Sequence, residues 1–342
     1  MTKKLLLIGS STGSVHLKNY YNLIADYFDE ILVVSGENIN FCENKIIDFS
    51  LKNPFKVQKS INKLRKIIYE FSPSLIHVHQ ANTYGFITSR ANKGKVTQIL
   101  TTWGSDVLIL PNKGFLYKHM VKYSLKKSDY ITADANFMAE SIAKFTAKKV
   151  TIANFGIEYK SIEFPEKENV IYSNRLHNPL YRIEEIIKGF SEFVKTNPSW
   201  KLVIGANGSE TTNLGKLAKT ILPKDSYKFI GFVSQEENKK QYLHSKIWIS
   251  NPISDGTAIS LLEAMGYGCV PVVSDLPANN EWIINNKNGI IIKSSITNAL
   301  NCAKNLPLET VQKENKKLII EKATKKVNKT KFESIYSKIL EK

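Results

Sequence analysis

Short apolar runs recur along the chain, separated by longer stretches in which apolar positions return every three or four residues, the pattern of parallel strands joined by helices. In the first half the candidate strands are Leu5–Ile8, Ile31–Val34, Leu75–Val78, Gln98–Thr101, Tyr130–Ala133 and Val150–Ile152. The second half restarts the pattern with Val170–Tyr172, Lys201–Ile204, Tyr227–Ile230, Ile247–Ile249, Val270–Val273 and Gly289–Ile292. Between the two sets, Glu158–Asn169 is polar, holds Pro165 and follows neither period. The pattern predicts two α/β domains, residues 1–158 and 170–325, joined by a linker at 159–169. Residues 326–342, in a Lys-rich stretch that reads as surface helix, are expected to pack back on the first domain. Open sheets of this kind hold ligands at the carboxyl ends of their strands, so two facing domains are expected to share a cleft.

A length of 342 residues with a 42% hydrophobic share is enough for two cores. Every apolar run falls short of the ~20 residues that cross a bilayer. The start, Met1-Thr-Lys-Lys followed by Leu5–Gly9, is too short in its apolar part for a signal peptide and reads as a buried strand. Cys42, Cys269 and Cys302 are widely spaced and lack partners at metal-ligand spacing, which points to a reducing cytoplasm and no zinc site. The 48 Lys and Arg against 31 Asp and Glu leave a net charge of +17, shared almost evenly by the two halves. Such a charge makes nucleic acid, an anionic membrane surface or a polyanionic substrate the partners to weigh.

Chemistry concentrates in Asn251-Pro-Ile-Ser-Asp255-Gly256-Thr-Ala-Ile-Ser-Leu-Leu-Glu263, which reads as strand, loop and helix. A helix beginning at Thr257 would aim the amides of Thr257, Ala258 and Ile259 outward, where the dipole favours a phosphate. At ~1.5 Å per residue Asp255 and Glu263 lie about 12 Å apart, too far to act as paired acid and base on one bond. They suit different parts of one extended ligand.

This stretch resembles the E-x7-E motif of retaining GT-B glycosyltransferases, family GT4, with Asp255 in place of the first Glu. Ser173-Asn-Arg175-Leu resembles the family's "GRL" strand end, Leu202-Val-Ile-Gly-Ala-Asn-Gly208 its Gly-containing loop, and Phe229-Ile-Gly231-Phe232-Val233 its "F-x-G-x-V" segment. Pro277-Ala-Asn-Asn-Glu281-Trp-Ile with Asn288-Gly289 is similar to the segment that closes the second domain. The resemblance implies a GT-B fold, two Rossmann-like domains facing across a cleft. It implies that Glu263 accepts the donor's ribose hydroxyls and Asp255 sits by the transferred sugar, while Arg175 binds the diphosphate with a fork that fits phosphate oxygens. The family's second cation falls on Leu180 here, and Arg182 is the substitute. Gly208, Phe232, Val233, Gly256, Thr257, Ala258 and Ile259 complete the expected donor contacts.

In the first domain, Gly9-Ser-Ser-Thr-Gly13-Ser-Val-His16 looks like the family's Gly-rich loop, placing Gly13 by the donor and His16 by the acceptor, or else on a helix surface. Thr101-Thr-Trp103-Gly104-Ser-Asp106 departs from the family, many of whose members carry His where Trp103 stands. Trp can donate one N–H and accept none. Asp106 is either a contact to sugar or acceptor or a helix cap. His77 and His79 fall on one face of their strand, His79 being an acceptor candidate or, like His77, a core or cap residue.

Finally, Lys118, Lys122 and Lys126 form an unopposed cationic stripe, beside an apolar stripe of Leu116, Met120, Val121 and Leu125. Such a stripe fits either an anionic membrane surface or a solvated face. Together these readings give a cytoplasmic, membrane-peripheral transferase of a UDP- or GDP-sugar onto a glycan acceptor, lipid-linked and of the surface-polysaccharide kind. No metal is expected, because there is no DxD and no carboxylate cluster, and nucleic-acid motifs are absent. The alternatives are a GT-B nucleotide-sugar epimerase, a sugar-phosphate synthase, or a non-catalytic polyanion-binding protein on a degenerate scaffold.

Overall fold

The computed structural model describes residues 2–10, 14–51, 53–160 and 162–341. The chain divides into two compact units: residues 1–156 with 325–342, and residues 157–324.

Unit 1 is built on a parallel sheet of seven strands: β1 Lys4–Ile8, β2 Glu30–Ser35, β3 Asn44–Ile46, β4 Leu75–His79, β5 Gln98–Thr101, β6 Tyr130–Ala133 and β7 Val150–Ile152. Their order is β3-β2-β1-β4-β5-β6-β7, reversing direction between β1 and β4. Alternation along β1 sends its side chains into two cores. Leu6 and Ile8 pack with Ile76, Val78, Leu100, Val121 and Leu125. Leu5 and Leu7 pack with Leu75, Ile99, Leu17, Tyr20, Phe332 and Tyr336. The helix Lys325–Leu340 is therefore part of this core and not a surface appendage, since Phe332 and Tyr336 are fully buried. The edge strand β3, Asn-Lys-Ile, has no apolar run to announce it and stays partly exposed.

Unit 2 carries β8 Glu168–Ser173, β9 Lys201–Gly205, β10 Tyr227–Gly231, β11 Ser245–Ser250, β12 Val270–Ser274 and β13 Ile290–Ile292. Their order is β10-β9-β8-β11-β12-β13, also fully parallel, reversing between β8 and β11. Ile247 and Ile249 face the helix Ile183–Thr196, whose Ile186, Phe190 and Phe193 are buried. Trp248, between them, faces the other way and packs with Leu261, Leu262 and Met265 of the helix Ile259–Gly266.

The expected linker does not stand free. Just before it Ile157, expected in the first domain, is buried in unit 2 and donates its N–H to Ala323 O at 2.8 Å. Lys167 donates to the carbonyls of Tyr242 (2.8 Å) and Tyr267 (2.7 Å). These carbonyls belong to the C-terminal turn of the helix Gln235–His244 and to the residue closing Ile259–Gly266. A cation is favourable at both ends.

Candidate active site

In an open α/β sheet the crevice opens where strand order reverses. In unit 2 that is the gap between the ends of β8 and β11, which feed Asn174–Arg175 and Asn251–Ala258 respectively. Arg175 crosses this gap. Its Nη2 donates to Asp255 Oδ2 at 2.5 Å and its Nη1 to Ser260 Oγ at 2.7 Å, with the guanidinium 4.4 Å from the centre of the Tyr181 ring. Burial works against the charge of Arg175, but Asp255 and Tyr181 outweigh it and hold the pKa above the usual value. Gly256 N–H donates to Asp255 Oδ1 at 3.1 Å, so both carboxylate oxygens have partners.

The helix predicted to open at Thr257 opens two residues later. Thr257 is buried under Trp282, whose Nε1 donates to its hydroxyl at 3.3 Å. Ala258 is extended at the N-cap, and no side chain caps Ile259–Gly266 among the described residues. The amides that begin this helix are thus those of Ile259 and Ser260, beside the hydroxyl that binds Arg175.

Glu263 is not a solvated helix residue. Tyr242 Oη donates to its Oε2 at 3.0 Å and Asn238 Nδ2 reaches the same oxygen at 3.4 Å. Burial raises its pKa, and these two bonds pull in the opposite direction. Arg182 has a different set of partners. It donates through Nε to Asn251 O (2.8 Å) and through Nη2 to Asn251 Oδ1 (2.9 Å) and Pro252 O (3.3 Å), and it lies 3.7 Å from Glu185. In this state it braces the loop that carries Asp255.

Gly208 is exposed and explained by packing: a Cβ there would meet the His177 carbonyl oxygen at 2.3 Å. His177, fully buried, donates Nε2–H to Gly205 O at 3.1 Å and meets Thr211 Oγ1 at 2.9 Å, which fixes this loop. Phe232 is 70% exposed and Val233 half-buried, just after β10.

Unit 1 places its candidates in one aromatic group. His16 is exposed, its ring 5.3 Å from that of Trp103. Trp103 Nε1 donates to His79 Nδ1 at 3.0 Å, so its single N–H is spent inside the unit. His79 is fully buried and cannot touch an acceptor directly. Its burial, with His16 nearby, lowers its pKa to about 3. Asp106 is also corrected: it is buried, and its carboxylate accepts from Ala81 N (2.7 Å) and Trp103 N (3.0 Å). It joins the loops after β4 and β5 instead of facing a ligand. Burial raises its pKa against these amide bonds. His77, in contrast, belongs to a buried polar chain. Its Nδ1 meets the hydroxyls of Tyr20 (2.8 Å) and Tyr336 (3.1 Å), which bond each other, and its Nε2 meets Thr101 Oγ1 at 2.7 Å. Gly13 lies outside the described residues.

In the helix Phe115–Lys127, Lys118, Lys122 and Lys126 are exposed and Met120, Val121 and Leu125 buried. Leu116 does not join the buried stripe: it and Phe115 are each 81% exposed. Among the described residues no helix is long and apolar enough to cross a membrane.

Sequence reasoning missed Tyr181, Asn238, Tyr242, Ser260 and the part played by Asn174. The signals for Asn174 and Ser260 were their places beside Arg175 and inside the Asp255–Glu263 stretch; Tyr181, Asn238 and Tyr242 come from a turn and a helix with no motif of their own.

Two parallel Rossmann-like sheets, with the Arg175–Asp255 and Glu263 arrangement at the reversal point of the second, define a GT-B enzyme. The model of the glycosyl transferases group 1 matches residues 156–326, half of the chain, and that of the glycosyl transferase 4-like group matches residues 4–135. The chain belongs to the glycosyl transferases group 1. It is 26% identical over 275 residues to an uncharacterized glycosyltransferase of Methanocaldococcus jannaschii, covering 73% of this chain and 69% of the relative. It is 20% identical over 261 residues to the alpha-monoglucosyldiacylglycerol synthase of Streptococcus pneumoniae, covering 69% of this chain but only 59% of that enzyme. Among solved structures, HepE of Anabaena in complex with UDP superposes with a TM-score of 0.81 at 13% identity, covering 98% of this chain and all of that one. A glycosyltransferase of Rickettsia africae gives 0.78 at 16% identity, covering 99% of each chain.

Proposed function

We propose that the protein is a retaining glycosyltransferase that moves a sugar from a UDP- or GDP-sugar to a lipid-linked glycan acceptor in bacterial surface polysaccharide or glycoconjugate synthesis. The observation that carries this reading is the convergence of Arg175, Asp255 and Glu263 on one short helix, Ile259–Gly266. Glu263 accepts the ribose hydroxyls, Arg175 and the first amides of the helix hold the diphosphate, and Asp255 turns from Arg175 to the sugar. HepE has been solved with UDP and with UDP-glucose, which supports a nucleotide-sugar donor here.

The acceptor hydroxyl bonds to the anomeric carbon on the face from which the diphosphate leaves. The bond between that carbon and the phosphate oxygen breaks, and the acceptor's proton passes to the departing phosphate. Arg175 and the helix amides stabilise the charge that develops there. The acceptor is read by unit 1 around His16 and Trp103.

Peripheral attachment to an anionic membrane follows from the helix Phe115–Lys127, which offers Phe115 and Leu116 for insertion and three lysines for attraction. A thermal-shift panel of nucleotide sugars tests the donor, since a ligand at 100 times its Kd stabilises by about 2.7 kcal/mol. Release of the nucleoside diphosphate only when glycan or lipid acceptor is added, with NMR of the product anomer, tests the reaction. Epimerisation without acceptor, or an inverted anomer, overturns it.

A further inference from the structure

Behind Glu263 lies a buried polar chain whose hydrogen-bond directions leave no freedom. It begins at Trp248, fully buried on β11, whose indole can only donate. Its Nε1 donates to Asn174 Oδ1 at 2.9 Å. That fixes the amide of Asn174, so Nδ2 must face the other way, donating to Tyr242 Oη (2.8 Å) and to Asn238 Oδ1 (3.0 Å). Tyr172 Oη donates to the same Asn238 Oδ1 at 2.8 Å, which turns the Asn238 amide nitrogen toward Glu263. Tyr242, already accepting from Asn174, sends its own proton to Glu263 Oε2 at 3.0 Å. The chain from Trp248 onward therefore ends in two donors, Tyr242 Oη and Asn238 Nδ2, aimed at one oxygen of one carboxylate. Among the described residues neither bond reaches Oε1.

We propose that Trp248, Asn174 and Tyr242 are positioning residues for Glu263: their one-way chain pins Oε2 and turns Oε1 toward the ribose diol of the donor nucleotide. The proposal rests on the reading of Glu263 as the ribose-binding carboxylate. It adds the reason that carboxylate has a single orientation. A glutamate on a helix surface swings through several rotamers, and an acceptor that must meet two neighbouring hydroxyls gains by having that freedom removed beforehand. Asn174 is the pivot. An aspartate there has the same shape and could still accept from Trp248, but it has nothing to donate, so the Tyr242 proton would turn to it and away from Glu263.

The test compares the affinities of UDP and GDP with those of dUDP and dGDP, which lack the 2′-hydroxyl, by calorimetry on the full chain. The ribo-to-deoxy affinity ratio reads contact with the diol and is insensitive to a general loss of packing. Tyr242→Phe keeps the buried ring and removes only the hydroxyl. It is expected to lower the ratio by about tenfold, the scale of one hydrogen bond to a charged group. Asn174→Asp, an independent variant, is expected to lower it as well. In a Glu263→Gln background, Tyr242→Phe should leave the ratio where Glu263→Gln alone put it. If Glu263→Gln lowers the ratio while Tyr242→Phe and Asn174→Asp leave it unchanged, the positioning chain is refuted and the ribose reading stands. If Glu263→Gln itself leaves the ratio unchanged, the ribose reading fails and the proposal falls with it.

Discussion

Arg175 and Asp255 form a close ion pair, Nη2 to Oδ2 at 2.5 Å, with both side chains largely shielded from water. Each is the partner the other must release if the guanidinium is to hold a diphosphate and the carboxylate a sugar. The pair keeps two otherwise costly charges compensated.

Asp255→Asn is expected to free Arg175, so UDP or GDP binds at least as tightly as to the parent while kcat falls. Removing the other partner takes the guanidinium counter-charge from a carboxylate that is mostly out of water, so Arg175→Ala should lower stability, by up to about 3 kcal/mol, as well as turnover. Calorimetry, steady-state kinetics and urea titration separate the two. Weaker nucleotide binding by Asp255→Asn would contradict this competition.

Glu263→Ala should weaken nucleotide binding by about 1.5–3 kcal/mol, the scale of hydrogen bonds to a charged group, in a protein that remains folded. Burial raises the Glu263 pKa, and only the ionised form is a full acceptor. Donor affinity is therefore present above that raised pKa and lost as pH falls through it, starting at higher pH than for an exposed glutamate. Nucleotide affinity measured across mildly acidic pH checks this. A flat profile in the parent would remove the carboxylate from the contact.

His79 gives unit 1 an acid sensitivity. Its folded pKa, about 3, lies below the unfolded value of 6.5. The folded state thus binds fewer protons, and the stability this histidine lends is complete above pH 6.5 and lost as pH falls toward 3. The slope approaches about 1.4 kcal/mol per pH unit for each such histidine. His77 is shifted the same way by burial, so His79→Gln should reduce the acid slope of the urea midpoint, not abolish it. An unaltered slope would show that His79 binds its proton equally well in the folded and unfolded chain.

Changing Lys118, Lys122 and Lys126 to Glu should stop the protein pelleting with anionic liposomes, as attraction over a ~10 Å screening length becomes repulsion. High salt should release the parent, and the triple variant should keep its activity on a water-soluble acceptor. Replacing Phe115 and Leu116 by Ser should leave a salt-sensitive remnant. If the parent never pellets, the helix is a solvated face.

Strands such as β1 were legible because burial on both sheet faces writes them as continuous apolar runs; β5, β6 and β7, with polar residues among the apolar ones, still match their expected limits residue for residue. β3 was not, since three edge residues bury too little to leave a pattern. Asp255 and Glu263 were legible as a spacing, and Arg175 as a motif. Their partners were not, because Tyr242 and Ser260 reach them only through folding. Leu116 misled for a related reason: helical spacing names a stripe but not where the neighbour covering it ends.

The helix Lys325–Leu340 lays Phe332 and Tyr336 over Tyr20 and His77. Tyr336 and His77 stand 259 residues apart in sequence, and all of unit 2 is synthesised between them. On a ribosome, unit 2 has every residue of its core before that helix has been made, whereas unit 1 must wait with part of one side of its sheet uncovered, the part that Leu17, Tyr20 and Ile24 do not reach. Order of completion is thus the reverse of order of synthesis, and the nascent first unit is the part of this chain that needs protection from aggregation.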